Sequence, residues 1–468
     1  MHKHYNSILI SFILILFICF FINPAYDFSV YIWSYFGFAF VLSVFFRIFF
    51  LKKREDILFF TIFFLTWLYF LQPYLRAEKV SYFFRVIPEN YLFKMSFFSF
   101  LGLAALYFGY YFSFSKKFIK PIFNTDYKFN SVQIGQAMIV LMFGYIFFQI
   151  LMTSYSELIK PILGLLAIFR YIPSLISAGI TLMFLRGNKN IFTVSVLIGF
   201  MIIVFLIALA QTLFTPVILI IITPFLVYFF ERRKIPLLLI LGIIIILLPL
   251  FLVRHYYRKQ AEAWWFHGME ADNSFLINQG LKILNETYIE KDNIFDTSDK
   301  IVDADKKAES RLEQVSYLGQ CVYQHEIKGR NFLLGETFWW LPVAPIPRFI
   351  FPFKPENLLA TKLATDYGLR GKSSTAAMNW PMLAEYYINF GFFGIFFFSF
   401  FQGIAYKYTY KLLAFGKGDL NLIALFSLVL PIVKVESNVT LVFGQIIQFL
   451  LLWYVLSKTV LKKYKFKK

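Results

Sequence analysis

The stretch that decides the fold is Ile235–Val253, IPLLLILGIIIILLPLFLV, which contains no charged side chain. Basic residues close it on both sides, Arg232-Arg233-Lys234 before it and Arg254 after it. An apolar run of about 20 residues is what an α-helix needs to cross the hydrocarbon of a bilayer. This stretch therefore predicts a membrane-spanning helix.

The rest of the chain repeats the pattern. Its 468 residues are 59% hydrophobic, 21% aromatic and only 16% charged, whereas soluble domains carry about 25% charged residues. The composition excludes a soluble multidomain protein and predicts an all-α, polytopic helical membrane protein. The first apolar run lacks a cleavage site, so we expect it to be retained as a span. Apolar windows predict about twelve spans, near 7–22, 29–50, 57–72, 95–114, 132–152, 171–185, 191–209, 213–230, 235–253, 382–405, 419–433 and 438–457.

The positions of Lys and Arg predict the orientation of these spans. Alternate loops, with the two termini, hold half of the 46 basic residues, while the short loops opposite hold few. Because basic loops stay in the cytoplasm, both termini are expected there. Examples on the basic side are Arg47, Lys52, Lys116, Arg232 and Lys407, and examples on the opposite side are Lys79, Lys94 and Lys434.

One long polar segment, 254–381, separates the ninth and tenth spans and is predicted to be a large periplasmic loop. It balances basic and acidic residues, so the net charge of +19 is mainly a topology signal and gives no reason to expect a nucleic-acid partner. Residues 1–253 are predicted to form nine transmembrane helices. Residues 382–468 are predicted to form the last three helices and a basic cytoplasmic tail.

Several short motifs carry no recognisable chemistry. Gly371-Lys372-Ser373 resembles the end of a phosphate loop, but Asp366 stands where that motif needs its first glycine. Asp303-Ala304-Asp305 lies in the most polar part of the loop, where a solvated surface is the simpler interpretation. The five histidines have no metal-ligand spacing. No metal site and no cofactor are predicted.

Arginines on the external side are the first candidate binding residues. A guanidinium group binds phosphate through two parallel hydrogen bonds and keeps its charge near lipid. Each arginine alone is better explained as an interfacial anchor or an ion-pair partner, but six at one face favour a diphosphate site. They are Arg170, Arg254, Arg258, Arg311, Arg348 and Arg370.

Glu385 is the second candidate. It falls in the first turn of the tenth span, and Asn389, four residues later, shares its helix face. A carboxylate inside a membrane helix is costly unless it has a partner, which marks it as functional. The alternative is structural, because acidic residues near a helix N-terminus are favoured by the dipole.

Four ordered segments resemble a known family. They are Arg311–Leu318 (RLEQVSYL), Gly335-Glu336-Thr337, Pro345–Pro355 (PIPRFIFPFKP), and Ser373-Ser374 followed by Pro381–Gly394 (PMLAEYYINFGFFG). Together they resemble the large external loop, and its return into the membrane, of the bacterial oligosaccharide repeat-unit polymerases, also called O-antigen polymerases.

This resemblance implies a membrane-embedded glycosyltransferase of the bacterial inner membrane, acting in O-antigen or capsule biosynthesis. It would move a growing glycan from its polyprenyl diphosphate carrier onto the next lipid-linked repeat unit. Such a donor is already activated and needs no cofactor. Membrane lipids, a flippase and a chain-length regulator are the implied partners.

The resemblance also suggests roles for the candidate residues. Glu385 would be the general base for the acceptor hydroxyl, with Arg311 and Arg348 stabilising the departing diphosphate. Arg170, Arg254, Arg258, Arg370 and Asn389 would bind the diphosphate or the glycan.

Two other functions remain open. One is the related ligase that transfers finished glycan to the lipid A core. The other, from a different class, is a lipid-linked oligosaccharide flippase or transporter. A flippase predicts polar residues along a central path and internal pseudo-symmetry, whereas the polar residues here concentrate in one late loop.

Overall fold

The computed structural model describes residues 28–51, 56–75, 89–112, 131–154, 172–187, 191–210, 223–228, 231–232, 314–344, 346, 350–351, 359–369, 379–414, 428 and 434–458. All regular structure in these ranges is helical and none is strand, which confirms the all-α class there. The predicted spans at 7–22 and 235–253 lie outside the described residues, as do about two thirds of 213–230 and all of 419–433 except residue 428. The count of twelve therefore stays a prediction.

Four described helices are long and apolar enough to cross a membrane, with apolar spans Tyr31–Ile48, Tyr91–Tyr111, Val132–Leu151 and Met382–Leu413. Four more are apolar but shorter. All eight overlap spans predicted from the sequence. In chain order the helices are α1 (Phe28–Phe49), α2 (Ile57–Phe70), α3 (Glu89–Tyr111), α4 (Ser131–Ser154), α5 (Ile172–Leu185), α6 (Ile191–Ala210), α7 (Val315–Val322), α8 (Leu359–Asp366), α9 (Met382–Ala414) and α10 (Val439–Lys458).

The helices form two compact units. The first contains α1–α3 and α7–α10, together with three short turns at Gln72–Leu75, Tyr323–Ile327 and Glu336–Phe338. The second contains α4–α6, in which Gly179 of α5 packs directly against Met138 of α4. All described candidate residues belong to the first unit.

Helices α3 and α9 of the first unit approach each other closely at two glycines. A Cβ atom on Gly109 of α3 would overlap the backbone carbonyl of Phe400, and a Cβ on Gly403 of α9 would overlap the backbone carbonyl of Leu106. Small residues that let two backbones approach are typical of helix pairs in membranes. The two glycines therefore set the spacing of α3 and α9.

Helix α9 reverses direction between Phe390 and Gly391. Gly391 has φ 61° and ψ −142°, a backbone conformation that glycine adopts far more readily than other residues. Two residues on opposite sides of the reversal are in contact: the Tyr386 hydroxyl donates to Oε1 of Gln402 at 3.1 Å. In a straight helix these residues, sixteen positions apart, would be separated by about 24 Å. The tenth span, predicted as one helix over 382–405, is thus a helical hairpin with a first arm at 382–390 and a second arm at 392–414.

The two ends of the first unit carry different charged clusters. At one end Asp56, which is fully buried, pairs with Arg47 of α1 at 2.9 Å and with Lys407 of α9 at 3.9 Å. Near the opposite end of α3, Lys94 pairs with Glu326 at 2.5 Å. Arg47 and Lys407 were predicted on one side of the membrane and Lys94 on the other, and their grouping in the structure is compatible with that arrangement.

Candidate functional site

Glu385 lies in the first turn of α9 with none of its surface exposed. Its Oε2 accepts a hydrogen bond of 2.7 Å from the backbone N–H of Val439, the first residue of α10. Asn438 caps the same helix by accepting a hydrogen bond of 3.1 Å from Leu441 N–H. The positive end of a helix dipole stabilises a carboxylate. The N-terminus of α10 therefore holds Glu385 in place, although the two bonded residues are 54 positions apart in the chain.

The second carboxyl oxygen of Glu385 is in a different situation. Oε1 is buried and makes no hydrogen bond of good geometry with any described residue. The hydroxyl of Thr337 interacts with the Glu385 carboxyl group as a whole. A buried oxygen without a full hydrogen bond is costly to keep charged.

Asn389 links the first arm of α9 to the loop before it. Its Nδ2 donates to the Thr337 hydroxyl and to the backbone carbonyl of Glu385, both at 2.8 Å. Its Oδ1 accepts from Gly335 N–H at 2.9 Å. The prediction that Glu385 and Asn389 share a helix face is confirmed. Since both N–H groups of the amide are used, Asn389 can contact a substrate only by accepting one more hydrogen bond.

The same loop satisfies the carbonyls that the helix reversal leaves free. Leu333 N–H donates to Ile388 O at 2.9 Å, and Leu334 N–H donates to Asn389 O at 3.1 Å. Leu334 has φ 48°, a left-handed conformation that is uncommon for a residue with a Cβ. We call these contacts, with those of Gly335 and Thr337 to Asn389, the clasp. The clasp joins the loop at 333–337 to the first arm of α9.

A second cluster lies beside the clasp and centres on His325. Its Nδ1 is 2.7 Å from the carbonyl oxygen of Arg330, and its Nε2 is 2.9 Å from the hydroxyl of Tyr367. Because a carbonyl can only accept, Nδ1 carries a hydrogen, and in the neutral ring Nε2 accepts from Tyr367. Phe332 stacks on the imidazole with ring centroids 4.5 Å apart.

This cluster is joined to the first arm of α9 through Tyr387. The Tyr387 ring lies 5.9 Å from the His325 ring, and its hydroxyl donates to Oε1 of Glu326 at 3.2 Å. No sequence pattern predicts this cluster, because His325 and Tyr367 are 42 residues apart and neither has a metal or catalytic spacing. Short-range patterns cannot detect such a pair.

The structure brings Glu385 and Asn389 together but gives no position for the predicted arginines. Arg170, Arg254, Arg258, Arg311, Arg348 and Arg370 lie outside the described residues. The arginine of this loop that is described is Arg330, which the sequence reasoning did not single out. Within the described ranges, no three His, Cys, Asp or Glu side chains are grouped to hold a metal ion.

Comparisons with protein-family models, with curated proteins and with solved structures find no match to this chain.

His325 is expected to make stability depend on pH. Burial is the main cause that lowers the pKa of His325, helped by the nearby Arg330 charge and opposed by the hydrogen bond to the Arg330 carbonyl. The unfolded chain therefore takes up the proton first, and folding stability falls as pH drops below about 6.5 towards the lowered pKa. Thermal unfolding of purified protein should begin at lower temperature at pH 5 than at pH 7.

The matched variant is His325→Asn, whose amide can still donate to the Arg330 carbonyl but does not titrate. It should reduce the difference between pH 5 and pH 7. An unchanged difference would assign the pH dependence to other groups.

Proposed function

We propose that the protein is a membrane-embedded glycosyltransferase that polymerises polyprenyl-diphosphate-linked oligosaccharide repeat units. The observation that supports this best is the clasp. Gly335 and Thr337 come from one family-like segment, and Asn389 comes from another. Hydrogen bonds of 2.9 and 2.8 Å join them at Asn389, one helical turn after the buried carboxyl group of Glu385.

The proposed reaction uses Glu385 as the general base. The acceptor sugar hydroxyl attacks the anomeric carbon of the donor, Glu385 takes the hydroxyl proton at Oε1, and the carrier diphosphate leaves with the bonding electrons. Arg311 and Arg348 are proposed to stabilise the diphosphate charge. Because Glu385 is fully buried, the acceptor reaches Oε1 only after the loop carrying Thr337 moves aside.

The proposal places the protein in the bacterial inner membrane with about twelve spans and both termini in the cytoplasm. The loop between the ninth and tenth spans then faces the periplasm, where flipped lipid-linked units are available. The four helices of membrane-spanning length support a membrane location. A flippase that supplies the units and a chain-length regulator are the proposed partners.

A deletion strain tests the function directly. Surface lipid should carry at most one repeat unit, and plasmid-borne protein should restore the ladder. Purified protein given lipid-linked units should also make a ladder.

Two other results would each replace the proposal. Polymer that stays attached to the carrier lipid would identify a ligase. Lipid-linked units trapped on the cytoplasmic face would identify a flippase.

A further inference from the structure

We infer that Arg330 is a preorganised binding site for an oxyanion, a phosphate or carboxylate group, within the His325 cluster. Among the described residues, its guanidinium group has one hydrogen-bond acceptor, the backbone carbonyl of Asp366, which lies 2.7 Å from Nη1. That acceptor is neutral, and Arg330 forms no ion pair with any described residue. No described residue therefore forms an ion pair with it or accepts from the other four of its five N–H donors, and these are the groups that we assign to the ligand.

The guanidinium plane is fixed from below by Tyr367. The Arg330 Cζ lies 4.1 Å from the centre of the Tyr367 ring, which is a cation–π contact. Tyr367 is held in turn by His325 at its hydroxyl, by the side chain of Gln320 at its carbonyl (2.6 Å), and by the ring of Trp380 at 5.3 Å. Tyr367, whose ring lies under the arginine, is thus held at its hydroxyl, at its ring and at its backbone carbonyl.

The backbone of Arg330 is fixed as well. Its N–H donates to the Gln324 carbonyl at 3.0 Å, and its carbonyl accepts from His325 Nδ1 at 2.7 Å. Gly329 precedes it with φ 65°, which allows the chain to turn there. His325 therefore holds Arg330 in two ways. It donates to the Arg330 backbone carbonyl, and it bonds the hydroxyl of Tyr367, whose ring lies under the Arg330 side chain. An arginine fixed in this way loses little conformational freedom when it binds two coplanar oxygens.

Two sources could supply such an anion near this loop. One is the diphosphate of the carrier lipid, in which case the inference rests on the proposed polymerase function. The other is the carboxylate of an acidic sugar in the glycan, which would restrict the substrate class to acidic repeat units. Both present the same pair of oxygens to a guanidinium group.

Binding can be measured without turnover on the purified full-length protein in detergent, by calorimetry. The probes are geranyl diphosphate and glucuronic acid. We expect saturable binding of at least one probe, weakened about tenfold or more by Arg330→Gln and also by Arg330→Lys, because lysine keeps the charge but loses the fork. Binding of geranyl diphosphate alone points to the carrier, and binding of glucuronic acid alone points to an acidic glycan.

Two further variants separate a built site from general attraction between charges. Lys328→Gln removes a positive charge two residues away, from a side chain whose described contact is the face of Tyr323 at 5.3 Å, and should leave affinity within about twofold. Tyr367→Phe keeps the ring under the guanidinium group but loses the bond to His325, so it should weaken binding less than Tyr367→Leu, which removes the ring as well. Thermal unfolding of each variant checks that it is folded.

The inference is overturned if neither probe binds saturably, or if folded Arg330→Gln protein binds as well as the original. Its failure is separable from failure of the proposed function. Protein that binds through Arg330 but makes no polymer removes the polymerase proposal alone, and protein that polymerises without an anion at Arg330 removes this inference alone.

Discussion

Replacing Glu385 with glutamine is expected to lower polymerisation by about 10²- to 10⁴-fold, the usual effect of removing a general base. Glutamine keeps the size of the side chain and a carbonyl oxygen that can accept from Val439 N–H, the contact that Oε2 makes at 2.7 Å. It cannot take up the acceptor proton. The measurement is the length and amount of polymer made by a deletion strain that carries the variant, with protein level followed in the membrane fraction.

Glu336→Gln is the matched control. Glu336 lies next to Thr337 in the same turn but is exposed, so losing its charge should leave the ladder unchanged. Normal polymer from fully inserted Glu385→Gln protein would remove the catalytic role. A fall in protein level that matches the fall in polymer would instead assign Glu385 to the structural role of holding α10.

Alanine at Gly109 or at Gly403 is expected to cause the largest loss of stability among single substitutions considered for the first unit. Each new Cβ would overlap a backbone carbonyl of the facing helix, of Phe400 or of Leu106. A backbone atom cannot rotate away as a side chain can, so α3 and α9 must separate. Overpacking costs about 1–3 kcal/mol or more, which should appear as a lower unfolding temperature in detergent and less protein in the membrane.

Gly199→Ala is the control for this pair. It places the same methyl group on a helix of similar apolar character, but a Cβ there meets nothing within 4 Å. Because alanine favours helix over glycine by about 0.5–1 kcal/mol, this variant should be as stable as the original protein or slightly more so. Equal stability of all three variants would contradict the close contact between α3 and α9.

The positions of most helices could be predicted from apolar windows alone. Expected spans at 29–50, 132–152 and 191–209 agree within two residues with the observed Phe28–Phe49, Ser131–Ser154 and Ile191–Ala210. Such agreement is physical, because charged residues end an apolar run and the run itself fixes the helix length. Apolar windows do not detect a change of helix direction inside one uninterrupted apolar run.

Helix α9 is the clearest failure. The run through Phe390 and Gly391 is apolar on both sides, so hydropathy does not register the change of backbone direction at Gly391. The reversal depends on N–H donors from Leu333 and Leu334, more than 50 residues earlier in the chain, which replace the helical hydrogen bonds lost there.

Only the part of the candidate site that depends on local spacing could be predicted from the sequence. Glu385 and Asn389 were found because their spacing of four residues is local and helical. Thr337 and Val439, which contact them, come from segments more than 50 residues away on either side. The cluster of His325, Tyr367 and Arg330 was missed because a hydrogen bond and a stacked ring, rather than a sequence spacing, define it.

The hairpin in α9 also sets an order for synthesis and membrane insertion. Asn389 meets Thr337, a residue translated earlier, but the backbone N–H that binds Glu385 belongs to Val439, 54 residues later. While the ribosome adds those residues, the carboxyl group lacks this hydrogen bond in an apolar environment, where an unpaired charge is costly. The bond between Glu385 and Val439 can therefore form only after α10 has been made, and a nascent chain released before Val439 would lack it.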